Sequence, residues 1–97
     1  MDAPRATMGR LSRPRHPEGV IAQQADSTLV LLSLTSGQYY ALDDVGVRVW
    51  ELCDGARTVA EVVSILSQEY DAPAETIEAD VLELLEDLAR EQLVVEG

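Results

Sequence analysis

Phenylalanine is absent from the chain, all aromatic residues together make up 4% of it, and Cys53 is the single cysteine. One cysteine excludes an internal disulfide. With so few rings, a core has to be built from Leu, Val, Ile and Ala, and apolar residues do reach 46%. Positive charge is also scarce: 7 basic residues face 18 acids, for a net charge of −11. A surface that binds nucleic-acid phosphates needs clustered Lys and Arg, so nucleic acid is excluded as a partner. Anionic membrane surfaces are disfavoured for the same reason. No run approaches the ~20 apolar residues of a membrane span. Arg5, Arg10, Arg13 and Arg15 are not followed by an apolar stretch, so no signal peptide is read and a cytoplasmic location is expected. Ninety-seven residues suffice for one domain with one small core.

The charge is unevenly spread. Residues 1–16 hold four of the seven basic residues and one acid, Asp2, while the remainder holds seventeen acids and only Arg48, Arg57 and Arg90. Three of the four prolines also fall before residue 20. Residues 1–17 are therefore expected to be a disordered basic tail, and residues 18–97 the folded domain.

The segment from Leu29 to Gly55, LVLLSLTSGQYYALDDVGVRVWELCDG, is the most informative. A short strand over Val20–Gln24, a turn at Asp26-Ser27 and a Leu/Val-rich strand over Thr28–Leu34 lead into it. Thr35-Ser36-Gly37 reads as a hairpin loop, with Gly37 free to take positive φ. Gln38–Leu42 completes a three-stranded meander, with Tyr40 and Leu42 on one face and Tyr39 and Ala41 on the other. A helix follows this strand at once, so the strand has a sequence neighbour on one side only. Its other side is a candidate open edge, and open edges accept extended peptides.

Three helices follow. The first, about Asp44–Asp54, is capped by Asp43 and ends at Gly55, with Val45, Val49, Trp50, Leu52 and Cys53 expected on its buried side. The second opens on a capping box, Thr58 with Glu61. The third runs from about Pro73, at its first position, to Gln92. Ile77, Val81, Leu84, Leu85 and Leu88 form its apolar stripe. Asp80, Glu83 and Asp87 lie to one side of that stripe, Glu78 and Leu82 to the other. The order gives an α+β domain with the layout of a winged helix-turn-helix: a three-stranded antiparallel sheet followed by three helices. A DNA-reading helix would present Arg, Lys, Asn or Gln to base edges, whereas the third helix is strongly acidic. Cys53 has no base or metal set near it in sequence, the one histidine being His16, so it reads as a packing residue, and no catalytic group, metal site or cofactor is expected. Trp50 reads as core.

The hairpin Leu31–Asp43, the junction Trp50–Val59 and the helix Asp80–Leu88, in this order and spacing, resemble PqqD-like proteins over residues 18–95. The Gly-x-Tyr-Tyr-x-Leu form is similar to the stand-alone members that serve lasso-peptide biosynthesis, the RiPP recognition elements (RiPP: ribosomally made, post-translationally modified peptide). The resemblance implies a non-catalytic adaptor. It binds the leader segment of a precursor peptide as an added antiparallel strand and presents it to a cysteine leader peptidase or other maturation enzyme. It also implies a peptide-binding set of Gln38, Tyr39, Tyr40, Ala41, Leu42, Asp80, Leu82, Glu83, Leu84 and Asp87, with either side of the third helix as the cleft wall and preference for the Asp80 side. Asp43 stands where Asn is frequent in that family, and both residues cap helices. Two alternatives remain: a peptide chaperone of the PqqD type in quinone cofactor biosynthesis, and a helix-turn-helix-derived regulatory module. In the latter the strand edge would pair two copies, and a weak homodimer through that edge is also an expectation for the adaptor.

Overall fold

The computed structural model describes residues 8–97. Their architecture is α+β, with elements in the order β1 (Pro14–Arg15), β2 (Val20–Ala25), β3 (Thr28–Ser33), β4 (Tyr39–Leu42), α1 (Asp44–Leu52), α2 (Val59–Glu69), α3 (Ala74–Arg90) and β5 (Val95–Glu96). The strands β2, β3 and β4 form an antiparallel sheet in that order, and β1 pairs separately with β5.

The hairpin between β3 and β4 is closed by local chemistry. Gly37, at φ +77°, turns the chain so that its N–H donates to the Ser33 carbonyl at 2.8 Å. The buried Ser33 hydroxyl accepts the Ser36 N–H at 3.1 Å, which satisfies a polar group that would be costly to bury alone. Alternation along β3 then sends Leu29, Leu31 and Ser33 inward. The inward face packs on the helices around Leu31, Leu42, Leu66, Leu85, Leu88 and Leu93, all with essentially no exposed surface. This aliphatic core is what a chain without Phe requires.

Each helix start follows from its sequence. The Asp43 carboxylate accepts the Gly46 N–H at 3.0 Å and opens α1 directly after β4. A Cβ at position 46 would lie 3.1 Å from the Leu42 Cδ2, so glycine lets α1 sit close to the end of β4. In α2, Thr58 and Glu61 exchange bonds as a capping box, at 3.2 and 2.7 Å. Pro73 is the N-cap of α3 rather than its first helical residue. Val45 corrects another expectation: it lies in the first turn of α1, is 42% exposed, and faces a groove instead of the core.

The N-terminal segment corrects the sequence reading of residues 1–17. Residues 1–7 lie outside the described residues, but residues 8–17 are docked, not a disordered tail. Met8 and Pro14 are buried. The Arg10 and Ser12 carbonyls accept the Ala60 and Val59 N–H groups at 2.9 Å each, which occupies free donors at the start of α2. Pro14 and Arg15 pair with Glu96 and Val95. The His16 ring stacks on Trp50 with centroids 3.6 Å apart and planes 6° off parallel, and its Nε2–H donates to the Trp50 carbonyl at 2.7 Å. None of these contacts has a helical or strand period, which is why an apolar-pattern reading misses them.

Candidate functional site

Pro14–Arg15 and Val95–Glu96 pair with each other and not with β4, and among the described residues no strand lies beside β4 on the side away from β3. The register Leu31↔Tyr40 and Leu29↔Leu42, with the Ser33 N–H donating to the Gln38 carbonyl at 2.8 Å, fixes which pairs are hydrogen-bonded. Tyr40 and Leu42 turn their backbone groups to β3, as Gln38 does its carbonyl, while the Gln38 N–H donates to the Ser36 hydroxyl at 3.2 Å. By alternation, the N–H and C=O of Tyr39 and of Ala41 point out of the sheet at the open edge.

Beside that edge lies a groove of about 470 Å³ between β4, the start of α1 and one side of α3. Tyr40, Ala41 and Leu42 line it from the strand, Asp43, Val45 and Gly46 from the helix start, and Asp80, Glu83, Leu84 and Asp87 from α3. Helical geometry explains the grouping on α3. At 100° per residue, Asp80, Glu83, Leu84 and Asp87 fall within an arc of about 100°. Leu82 falls about 160° from Asp80. It packs against the core instead and does not line the groove, so the structure does not bring it to the expected set. Gln38 and Tyr39 are also outside the groove lining. Gln38 is exposed in the hairpin, and the Tyr39 side chain, 73% exposed, stands on the opposite face of the sheet.

The electrostatics of the groove are one-sided. Four carboxylates, Asp43, Asp80, Glu83 and Asp87, surround an apolar floor of Leu42 and Leu84. Tyr40 donates from its hydroxyl to Asp87 at 3.5 Å, and Arg90 pairs with the same carboxylate. Burial, followed by the negative charge of Asp87, pushes the Tyr40 phenol above its ordinary value. Asp80 and Glu83 have no cationic partner among the described residues. A cationic side chain entering the groove would meet these two carboxylates.

Sequence reasoning missed a second feature. An apolar pocket of about 190 Å³ opens off the groove past Val45, Asp80 and Leu84, with Leu66, Tyr70 and Ile77 in its walls. Val45, as an apolar residue directly after a capping pair, was the available signal, but its period matches the core side of α1. Cys53 offers no chemistry here. It is buried, its thiol donates to the Val49 carbonyl at 3.1 Å, and burial pushes that thiol up to about 12, so it carries no thiolate at neutral pH. Among the described residues no cluster of three or more His, Cys, Asp or Glu side chains is arranged to hold a metal ion, and no helix is long and apolar enough to cross a membrane.

Comparison with known proteins gives this geometry a family. A PqqA binding protein of Rhodopseudomonas palustris (strain HaA2) is 34% identical over 86 residues, which cover 89% of this chain and 84% of the relative. The solution structure of the PqqD truncation of Methylobacterium extorquens PqqCD, described as a stand-alone RiPP recognition element, superposes with a TM-score of 0.77. It is 35% identical and covers 92% of this chain and 95% of its own. A lasso peptide synthetase B1 complexed with the leader peptide superposes with a TM-score of 0.72 at 28% identity, covering 87% of this chain and 99% of its own. The family model for coenzyme PQQ synthesis protein D matches residues 28–94, from the start of β3 to the last core residue before β5, and the chain belongs to the PqqD family.

Proposed function

We propose that this protein is a non-catalytic adaptor that binds the leader segment of a ribosomally made precursor peptide and presents it to a cysteine leader peptidase or other maturation enzyme in lasso-peptide biosynthesis. The observation that carries the reading is the edge of β4, unpaired among the described residues, beside the acidic groove of α3. A leader laid antiparallel to β4 meets four outward backbone groups, on Tyr39 and Ala41, each bond worth about 0.5–1.5 kcal/mol net. Every second leader side chain then points between β4 and α3. Apolar ones reach Tyr40, Leu42 and Leu84, and basic ones meet Asp80, Glu83 and Asp87. Tyr39 contributes through the strand itself, while Gln38, whose backbone groups are bonded to Ser33 and Ser36, stands at the hairpin end of the edge. The helix-turn-helix-like order of the three helices thus serves a peptide and not a duplex, since an acidic α3 repels phosphate.

The leader-bound lasso peptide synthetase B1 among its structural relatives supports the lasso setting. A second reading, a chaperone for the precursor of a quinone cofactor, is favoured by relatives named PqqA binding protein. Titration with the precursor peptide encoded nearest to this chain, followed by fluorescence polarisation, tests both. Saturable binding that requires the leader and not the core peptide supports the adaptor. Tighter binding of a PqqA peptide than of any lasso leader would favour the second reading. No affinity for any leader would defeat both.

A further inference from the structure

The sheet has a second face that the leader site does not use. In the register of β2, β3 and β4, Ile21, Leu32 and Tyr39 form one cross-strand row and Gln23, Val30 and Ala41 the next, all pointing away from the helices. The Leu34 N–H donates to the Gly19 carbonyl at 2.7 Å, which extends the β2–β3 ladder one residue past the inward Ser33 and carries the same face on to Leu34. Three of the five exposed large apolar residues among the described residues stand here: Ile21 at 47%, Leu34 at 63% and Tyr39 at 73%. No side chain of these rows carries a charge at neutral pH, on a chain of net −11. Isolated exposed apolar residues are ordinary, but a contiguous uncharged row with an aromatic at one end marks an interaction surface.

What covers it follows from its place beside the open edge. A strand added to β4 extends the sheet, so the leader side chains that do not enter the groove come up beside Tyr39 and Ala41 on this outer face. A protein seated on the face therefore touches adaptor and bound peptide together. A second copy of this chain is a poor occupant, because two bodies of −11 repel. Resting on the leader-binding reading above, we propose that the outer face built from Ile21, Leu32, Leu34 and Tyr39 is the docking surface for the enzyme that works on the bound peptide. That enzyme presents an uncharged apolar centre with a cationic rim to suit the acidic domain, and it binds the adaptor more tightly when leader is present.

The test uses the full chain, the precursor encoded beside it and the purified maturation enzyme of the same gene neighbourhood. Leu34→Glu with Ile21→Glu places charge on the face without touching the groove, and Leu11→Glu, at a residue 83% exposed in the N-terminal segment, is the control. Circular dichroism confirms that each variant is folded. The expected result is leader affinity within twofold of wild type, processing of the peptide slowed at least tenfold by the double variant, and no change with Leu11→Glu. Unchanged processing in the double variant would overturn the proposal while leaving leader binding in place. Leader affinity falling in step with processing would assign the face to the leader instead. A wild-type dimer that the double variant dissolves would assign it to a second copy. A wild-type protein with no leader affinity would remove the underlying reading, and this proposal with it.

Discussion

Tyr40 and Asp87, forty-seven positions apart in sequence, join the edge strand β4 to α3 through a hydroxyl-to-carboxylate bond of 3.5 Å. The bond is long and half-exposed, at the weak end of its class, so its role is to set the spacing of the groove walls. Tyr40→Phe should cost at most about 1 kcal/mol of stability and leave the fold intact. The phenol is pushed up by burial and by Asp87, so the folded state disfavours its ionised form. Any stabilisation from this shift is present below the ordinary phenol value of about 10 and is lost as pH rises through the higher folded value. A difference titration in the ultraviolet, wild type against Tyr40→Phe, should show the missing phenol ionising later than free tyrosine.

Ala41 and Tyr40 separate docking from folding. Ala41 turns its N–H outward, while Tyr40 turns its own to β3. Ala41→Pro should weaken leader binding at least tenfold, about 1.4 kcal/mol, with a small change in melting temperature, because edge positions tolerate proline. Tyr40→Pro should instead unfold the hairpin. Leader binding to Ala41→Pro as tight as to wild type would show that β4 is not the docking edge.

On α3, Asp80 lines the groove and Glu75 does not. Asp80→Ala should weaken leader affinity two- to fivefold, up to about 1 kcal/mol for a partly exposed pair. Glu75 lies in the first turn of α3, where a negative charge favours the helix start. Its replacement by Ala should cost a few tenths of a kcal/mol of stability and leave affinity unchanged. Calorimetry of both variants separates the two effects, and equal losses of affinity would point to diffuse charge attraction instead of a site.

The N-terminal segment makes a stability prediction opposite to the one its composition suggests. Deleting residues 1–16 removes buried Met8 and Pro14 and the carbonyls that occupy the Val59 and Ala60 N–H groups. A loss of about 3 kcal/mol or more is expected, since truncating a buried Met alone costs about 2–5 kcal/mol. Met8→Ala tests the core contact separately. Urea unfolding with an unchanged midpoint in the truncated protein would mean that the docked segment adds nothing to stability.

What could be read from the sequence was local. Gly37 in the hairpin, Asp43 before α1 and the Thr58–Glu61 pair each act within three or four residues, and each is found in its expected role. The side of α3 that carries Asp80, Glu83 and Asp87 also followed from helical rotation, although only the packing of the stripe against β4 could say which side meets the strand. The misreadings share a cause. Val45 matches the core period of α1 but sits where that helix leaves the sheet. Leu82 is apolar without lining the groove. Residues 8–17 are polar and proline-rich, yet they bond through backbone and through one stacked ring to partners more than thirty positions away. Pattern reports which residues an element buries against its neighbours, but not contacts that a segment without period makes across the whole chain.

The pairing of Pro14–Arg15 with Val95–Glu96 has a consequence for the order in which the domain is completed. Its two strands stand about eighty positions apart, and the Gly97 N–H adds a bond to the Arg13 carbonyl at 2.6 Å, so this clasp closes only when the last residues of the domain are in place. The hairpin of β3 and β4 needs no such wait, since its partners are neighbours in sequence. No residue of the clasp lines the groove, so a clasp that frays open would leave the walls of the groove where they are.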